Sequence, residues 1–369
     1  MTNGSVRSLP ERGNLIDFSS NDYLGLARNG SLENSISRLL KEHQTMHGST
    51  GSRLLTGNHP LYAELEQFLV EFHNAEAALA FNSGYDANVG FFSCVPQRGD
   101  VVFYDESIHA SIRDGLQLGN AKSYKFLHND LGDLEKKVRP LRAQSGSDLA
   151  EIYVVTESVF SMDGDSPDLR LLSDFCKAED LYLVVDEAHA VGIFGEGKGM
   201  LQQLGLEQEV FARIVTFGKA LGCHGAAVLG CNSLKNYLIN FARSLIYTTA
   251  LPPHTLATVL ASYQQLKERG EQPSHALREN ILYFKQQIVE LGIESVFIES
   301  YSAIQCAIVS GNEKVKRISG TLQAEGYDVK PILSPTVKEG EERLRFCLHA
   351  YNTKEEISRV LSILKSILE

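Results

Sequence analysis

The sequence predicts an α/β fold, with a large domain built on a mostly parallel sheet between helices and a small α+β domain at the C-terminal end. Two observations carry that expectation. Short apolar runs alternate with amphipathic stretches along the chain, the pattern of βαβ units. Several of these runs, VVFYD, EIYVVTE and LYLVVDE among them, are apolar and β-branched at consecutive positions, as strands buried on both faces are. At 369 residues the chain also exceeds the usual size of one core. The expected division is an N-terminal segment over 1–35, a large domain over 36–255, and a bridging helix with a small domain over 256–369.

Apolar residues make up 43% and charged residues 22%, ordinary values for a globular chain, and no apolar stretch is long enough to span a membrane. The net charge of −11 disfavours phosphate backbones and anionic lipid, so neither nucleic acid nor membrane is an expected partner. The first residues, MTNGSVRSLPERGN, lack the apolar core of a signal peptide, which points to the cytoplasm. The six cysteines are scattered without a C-x-x-C pair, and neither a disulfide framework nor a zinc site is signalled.

In order, NLID is strand-like and Ser19-Ser20-Asn21-Asp22 reads as a turn, followed by an amphipathic helix from Ser31 to His43. Pro60 sits in the first turn of a helix whose apolar face is Leu61, Leu65, Phe68, Leu69 and Phe72. AALAF is the next strand, and Asn82-Ser83-Gly84-Tyr85 opens a helix whose exposed N–H groups suit an anion. The strand from Val101 leads to His109 at a helix start. YKFLHND precedes a charged helix from Leu131 to Arg142. A strand ending at Thr156-Glu157-Ser158 leads to a loop with Ser161, Asp163 and Asp165, whose spacing departs from a calcium loop, so no metal is expected. Beyond the strand GCHGAAVLGC, a long helical region runs from His254 to Glu290. The runs SVFIE, AIQCAIVS and RLRFCLHA then alternate with helices VKRISGTLQAEG and KEEISRVLSILKSIL. Arg343 and Arg345, two apart in a strand, share a face, where either suits a carboxylate.

The reactive groups gather between Leu181 and Leu221, where Asp186, His189 and Lys219 each stand at or just past the end of an apolar run. Asp186-Glu187-Ala188-His189 spells an ATPase box and GIFGEGKG nearly spells a phosphate loop. Gly199 replaces the Ser or Thr that a phosphate loop needs after its Lys, and the order of the two motifs is reversed. An acid, an imidazole and an amine at neighbouring strand ends suit pyridoxal phosphate (PLP) instead. Lys219 would form the Schiff base, Asp186 would keep the ring nitrogen protonated, and the N–H groups at Gly84 would meet the phosphate.

The motifs NDYLGLA, GSRLLTGNHPLYAELE, FNSGYDAN, DESIHAS, TESVFSMDGD, VVDEAHAVG, VTFGKALG and IYTTALPP, in this order, resemble those of the α-oxoamine synthases, PLP enzymes of fold type I. The resemblance covers the chain from about Asn14 to Leu364. It implies that Lys219 is the Schiff-base lysine, that Asp186 partners the ring nitrogen and that His109 stacks on the ring. It further implies that Ser161, His189 and Thr216 contact the ring oxygen or nearby groups, and that Gly84 and Tyr85 bind the phosphate. Thr248 or Thr249 would reach the phosphate of a neighbouring subunit, which makes a homodimer the expected assembly. Asn21 and Arg345 would hold the amino-acid carboxylate, with Thr336 near the substrate. FARSLIYTTALPP, SAIQ and SPTVKEGEERLRFCL most resemble the branch that condenses L-alanine with a pimeloyl thioester, on CoA or a carrier protein, with loss of CO₂ in biotin biosynthesis. A sister reaction using glycine or serine with another acyl-CoA is the alternative, and a PLP-binding protein without catalysis a remote one. Three departures from the family pattern stand out: only twenty residues precede Asn21, Thr50-Gly51 replaces Gly-Gly, and Cys223-His224 follows the lysine.

Overall fold

The computed structural model describes Leu9 and residues 13–144, 151–270 and 272–369. The chain forms two compact units. The larger comprises Leu26–Val159 and Ser166–Gly270; the smaller contains the described residues up to Gly25, Phe160–Asp165 and those from Gln272 onward.

The larger unit is built on a seven-stranded sheet of β1 (Ala77–Phe81), β2 (Val101–Asp105), β3 (Lys122–Phe126), β4 (Ile152–Glu157), β5 (Tyr182–Asp186), β6 (Ala212–Thr216) and β7 (Ala226–Gly230). Their order is β1-β7-β6-β5-β4-β2-β3. The five strands from β2 to β6 run parallel, each step between them long enough for a crossover, and only β7 is antiparallel to both neighbours. Residues 217–225 between β6 and β7 are too few for a crossover helix, so the chain turns back on itself. Every residue of β4 is buried, which is why its sequence lacks polar alternation.

Helices α1 (Glu33–Glu42), α2 (Pro60–Phe72), α3 (Gly84–Cys94), α4 (Ala110–Leu118), α5 (Leu131–Gln144), α6 (Leu169–Ala178), α7 (Met200–Leu204), α8 (Asn232–Phe241), α9 (Arg243–Ile246) and α10 (Pro253–Arg269) accompany the sheet. Leu134 and Val138 of α5 and Leu172 and Phe175 of α6 close over Val101, Phe103, Val154, Leu183 and Val185 in one core cluster. Each such side chain contributes about 1.5–3 kcal/mol by leaving water. The caps are legible in sequence: Pro60 occupies the first turn of α2 behind His59, whose ring accepts the Leu61 N–H, and Ser83 accepts the Asp86 N–H to open α3.

In the smaller unit, β8 (Ile304–Ile308), β9 (Lys330–Ile332) and β10 (Arg343–Cys347) form an antiparallel sheet in the order β9-β10-β8. Ile16–Asp17 adds a short parallel ladder to Tyr327–Asp328. Helices α11 (Gln272–Glu290), α12 (Asn312–Ala324) and α13 (Lys354–Leu368) complete it, the last opened by a reciprocal Thr353–Glu356 capping box.

Two elements differ from the sequence reading. The long helical region is two helices, because Gly270 takes a φ of 56° and ends α10. SVFIE is not a strand: Glu294–Val296 closes a 3-10 turn, leaving a single bridge from Phe297 to Ala307. The α/β class and the mostly parallel sheet are as the sequence predicts. No helix among the described residues is long and apolar enough to cross a membrane.

Candidate active site

Parallel strands β2, β4, β5 and β6 end in Asp105, Glu157, Asp186 and Thr216. The carboxyl ends of such strands are where an open α/β sheet leaves room for ligands. Asp186 is 5% exposed and lies in register with Glu157 on one side and Ile214 on the other. Its Oδ1 accepts the Ala188 N–H at 2.9 Å and its Oδ2 accepts from Asn88 Nδ2 at 2.9 Å. Asn88 also donates to Ser111 Oγ at 3.0 Å, and Ser111 Oγ lies 2.7 Å from His109 Nδ1. His109 caps α4, its Nδ1 accepting the Ser111 N–H at 3.2 Å.

Lys219 stands half-buried in the turn between β6 and β7. Its carbonyl accepts the Gly222 N–H at 2.8 Å, while Phe217 N–H bonds Gly225 and Cys223 N–H bonds Phe217. Gly222 has a φ of 64°, and a Cβ there would lie 2.2 Å from the backbone nitrogen of Ala27. Only glycine serves both the conformation and the contact. At the start of α3, a Cβ on Gly84 would meet the Thr216 methyl at 2.7 Å, so the β6 end and this helix N-terminus touch. Tyr85, half exposed, donates its hydroxyl to Asp114, and Asn82 donates to Thr248 Oγ1 at 3.1 Å and to the Thr249 carbonyl at 2.7 Å. His189 is buried in the loop after β5, and Thr216 Oγ1 reaches the Ala188 carbonyl of that loop at 3.5 Å.

The charges respond to this crowding. Burial, reinforced by the Asp186 charge, pushes the Glu157 carboxyl up to about 8. Lys219 and the His109 N–H, which Glu157 accepts at 2.6 Å, oppose the rise only in part. Burial also holds the His109 imidazole below its usual range, with Lys219 acting in the same direction and Asp186 against it. Between about 4.5 and about 8 the folded chain therefore binds a proton at Glu157 that the unfolded chain does not. Glu157 makes its stabilising contribution in full below that window and loses it as pH rises through it. Glu157→Gln is expected to flatten the decline in urea midpoint from pH 5 to 8; an unchanged slope would count against a protonated Glu157.

Behind the Asp186 loop lies a buried ion pair. Arg213 donates to Glu187 Oε2 from Nε at 2.9 Å and from Nη2 at 2.7 Å, the two side chains being 3% and 0% exposed. Leu201 N–H bonds the second carboxylate oxygen, and Arg213 also reaches the carbonyls of His73 and Lys198. This is the site of the acidic box that the sequence made look like an ATPase motif, and here its Glu is a structural anchor.

The other sequence candidates lie in the smaller unit. Arg345 donates from Nε to the Ser161 carbonyl at 2.7 Å and from Nη2 to Asn21 Oδ1 at 3.0 Å. Tyr23, fully buried, donates to the same Asn21 oxygen at 3.1 Å, and Cys347 Sγ lies 2.9 Å from Arg345 Nη1. Arg343, on the same face, pairs with Asp163 instead. Thr336 is exposed in a turn, its N–H bonded to Leu333, and stands outside this cluster. The structure thus places Asn21, which the sequence reading paired with Arg345, and Ser161, which it assigned to the cofactor ring, both against the Arg345 guanidinium. Sequence reasoning misses Asn88, Ser111 and Glu157; the signal for Asn88 was a polar residue on the buried side of a largely apolar helix.

The larger unit fits PLP. A buried carboxylate is held by two donors at one strand end, an amine stands on the loop after the next strand, and a helix N-terminus meets the end of that strand at a glycine. The sequence profile of the aminotransferase class I and II family matches residues 13–364. An 8-amino-7-oxononanoate synthase of Emericella nidulans is 42% identical, covering 96% of this chain and 89% of that protein. A serine palmitoyltransferase of S. paucimobilis, solved with bound PLP and myriocin, superposes with a TM-score of 0.87 at 28% identity, over 96% of this chain and 87% of that one. An 8-amino-7-oxononanoate synthase of Francisella tularensis superposes with a TM-score of 0.78 at 28% identity, over 96% of this chain and 98% of that one.

Proposed function

Because the chain belongs to the class I and II aminotransferase family and, within it, to the α-oxoamine synthases, we propose that it condenses L-alanine with a pimeloyl thioester. The products are 8-amino-7-oxononanoate, CO₂ and the freed CoA or carrier protein, a step of biotin biosynthesis. The observation that carries this reading is the 42% identity to the Emericella enzyme over 96% of the chain.

When bound, PLP would supply an electron sink for the pair left at the amino-acid Cα. Lys219 would hold it covalently and move the Cα proton at Nζ. Asp186, desolvated and acceptor-only, would keep the ring nitrogen protonated. His109 would lie against the ring, with Ser161, His189 and Thr216 at its oxygen or nearby. The N–H groups of Gly84 and Tyr85 would take the phosphate, aided by the dipole of α3. Arg345 and Asn21 would bind the substrate carboxylate and Thr336 would lie near the substrate. Thr248 and Thr249 would reach a second copy's phosphate in a homodimer, which the exposed Leu54, Leu55, Phe241 and Tyr247 of the larger unit support. All six cysteines are free thiols, in keeping with a cytoplasmic enzyme.

A sister reaction is favoured by one observation, the higher TM-score to serine palmitoyltransferase. The two separate in one assay of CO₂ and CoA release. L-Alanine with pimeloyl-CoA is expected to turn over at least about tenfold faster, in kcat/KM, than serine with palmitoyl-CoA, a difference of about 1.4 kcal/mol. The reverse order would overturn the biotin-pathway reading.

A further inference from the structure

We propose that Asn88 and Ser111 are positioning residues that join Asp186 to His109 in a hydrogen-bond chain, with Asn88 donating to both sides, and so hold His109 as the neutral Nε2–H tautomer. The direction of the chain follows from what each group can donate. An ionised Asp186 only accepts, so Asn88 must turn its amide nitrogen toward Oδ2. The second amide hydrogen then goes to Ser111 Oγ. His109 Nδ1 accepts the Ser111 backbone N–H at 3.2 Å and so carries a lone pair, which makes the Ser111 hydroxyl the donor across the 2.7 Å contact to the same nitrogen. The ring proton is left on Nε2.

The burial of the chain makes this assignment binding. Asn88 and Ser111 are 2% and 0% exposed, closed off from bulk solvent. Asn88 Oδ1 is buried without a hydrogen-bond partner among the described residues. Such an orphan costs about 1–3 kcal/mol, which the amide would avoid by rotating if its nitrogen were not required on both sides. Rotation would instead aim the amide oxygen at a carboxylate. Asp186 and Asp114 favour a proton on His109 while Lys219 and Arg113 disfavour it; the tautomer is read from the hydrogen bonds at Nδ1.

The functional weight of the chain rests on the reading that Asp186 and His109 contact one cofactor ring. A charge at one end of the chain would then be matched by a fixed proton position at the other. The chain itself is measurable without turnover.

The test is ¹⁵N NMR of histidine-labelled full-length protein, with and without PLP. Wild-type His109 is expected as neutral Nε2–H at pH 7. Ser111→Ala and Asn88→Ala should each yield a tautomer mixture and raise the His109 pKa by about one unit, a tenfold gain in proton affinity. Ser111→Thr, which retains the hydroxyl, should restore the wild-type signal. A wild-type tautomer in both alanine variants, or an Nδ1–H signal in the wild type, would overturn the proposal. If Asn88→Ala fails to fold, the Ser111 pair decides alone. Absence of a visible PLP band in wild type would instead remove the cofactor reading and leave the NMR result standing.

Discussion

Lys219→Ala is expected to lower kcat by about 10⁴ or more, because in the proposed reaction Lys219 is both the covalent anchor of the cofactor and the base for the Cα proton. The fold should persist, since Lys219 is half-buried and the turn that carries it is closed by backbone bonds at Phe217, Gly222 and Cys223. Two measurements check the assignment. The variant should lack the visible absorbance of a lysine-bound cofactor after incubation with PLP, and borohydride treatment should leave its peptides unlabelled. In the wild type the reduced label should map to Lys219. A label on another lysine, or an unchanged absorbance in the variant, would sink the assignment.

The largest expected effect on stability is at Arg213. Arg213→Leu leaves the Glu187 side chain buried with the Leu201 N–H and no cation, a situation that costs about 3–5 kcal/mol. The urea midpoint should fall accordingly. Removing both charges, with Glu187→Leu added, should cost less than the two single changes summed, because neither partner is then stranded. Strict additivity within about 0.5 kcal/mol would mean that the pair does not act as a unit. The prediction bears on function as well, since Glu187 adjoins Asp186, and a disturbed anchor should weaken PLP retention before it abolishes folding.

Much of this architecture could be read from the chain because its strands are buried and short. YLVVD and AALAF announce themselves by apolar content, and their ends mark where reactive groups stand. Asp186, Lys219 and Gly84 were legible for that reason. Helix starts at Pro60 and Ser83 were legible through caps, which are local. What escaped depends on distant pairing. Asn88 meets Asp186 from 98 positions away and Ser111 from 23, contacts fixed by strand order and helix placement rather than by any local pattern. The direction of β7 was hidden for the same reason. SVFIE failed differently: its β-branched content is strand-like, but the turn at Glu294–Val296 takes up the residues that would have paired.

The turn between β6 and β7 has one more implication. Its backbone is fastened at three points and pressed against Ala27 through a glycine, so the base of the Lys219 side chain is a fixed pivot. Whatever distance the amine travels must come from rotation about its own four-carbon stem. Rotamer changes take picoseconds to nanoseconds, whereas loop opening takes nanoseconds to microseconds and domain motions longer still. In the proposed reaction, proton delivery by Lys219 would thus be uncoupled from backbone motion, and the slow events of the cycle would belong to other parts of the chain.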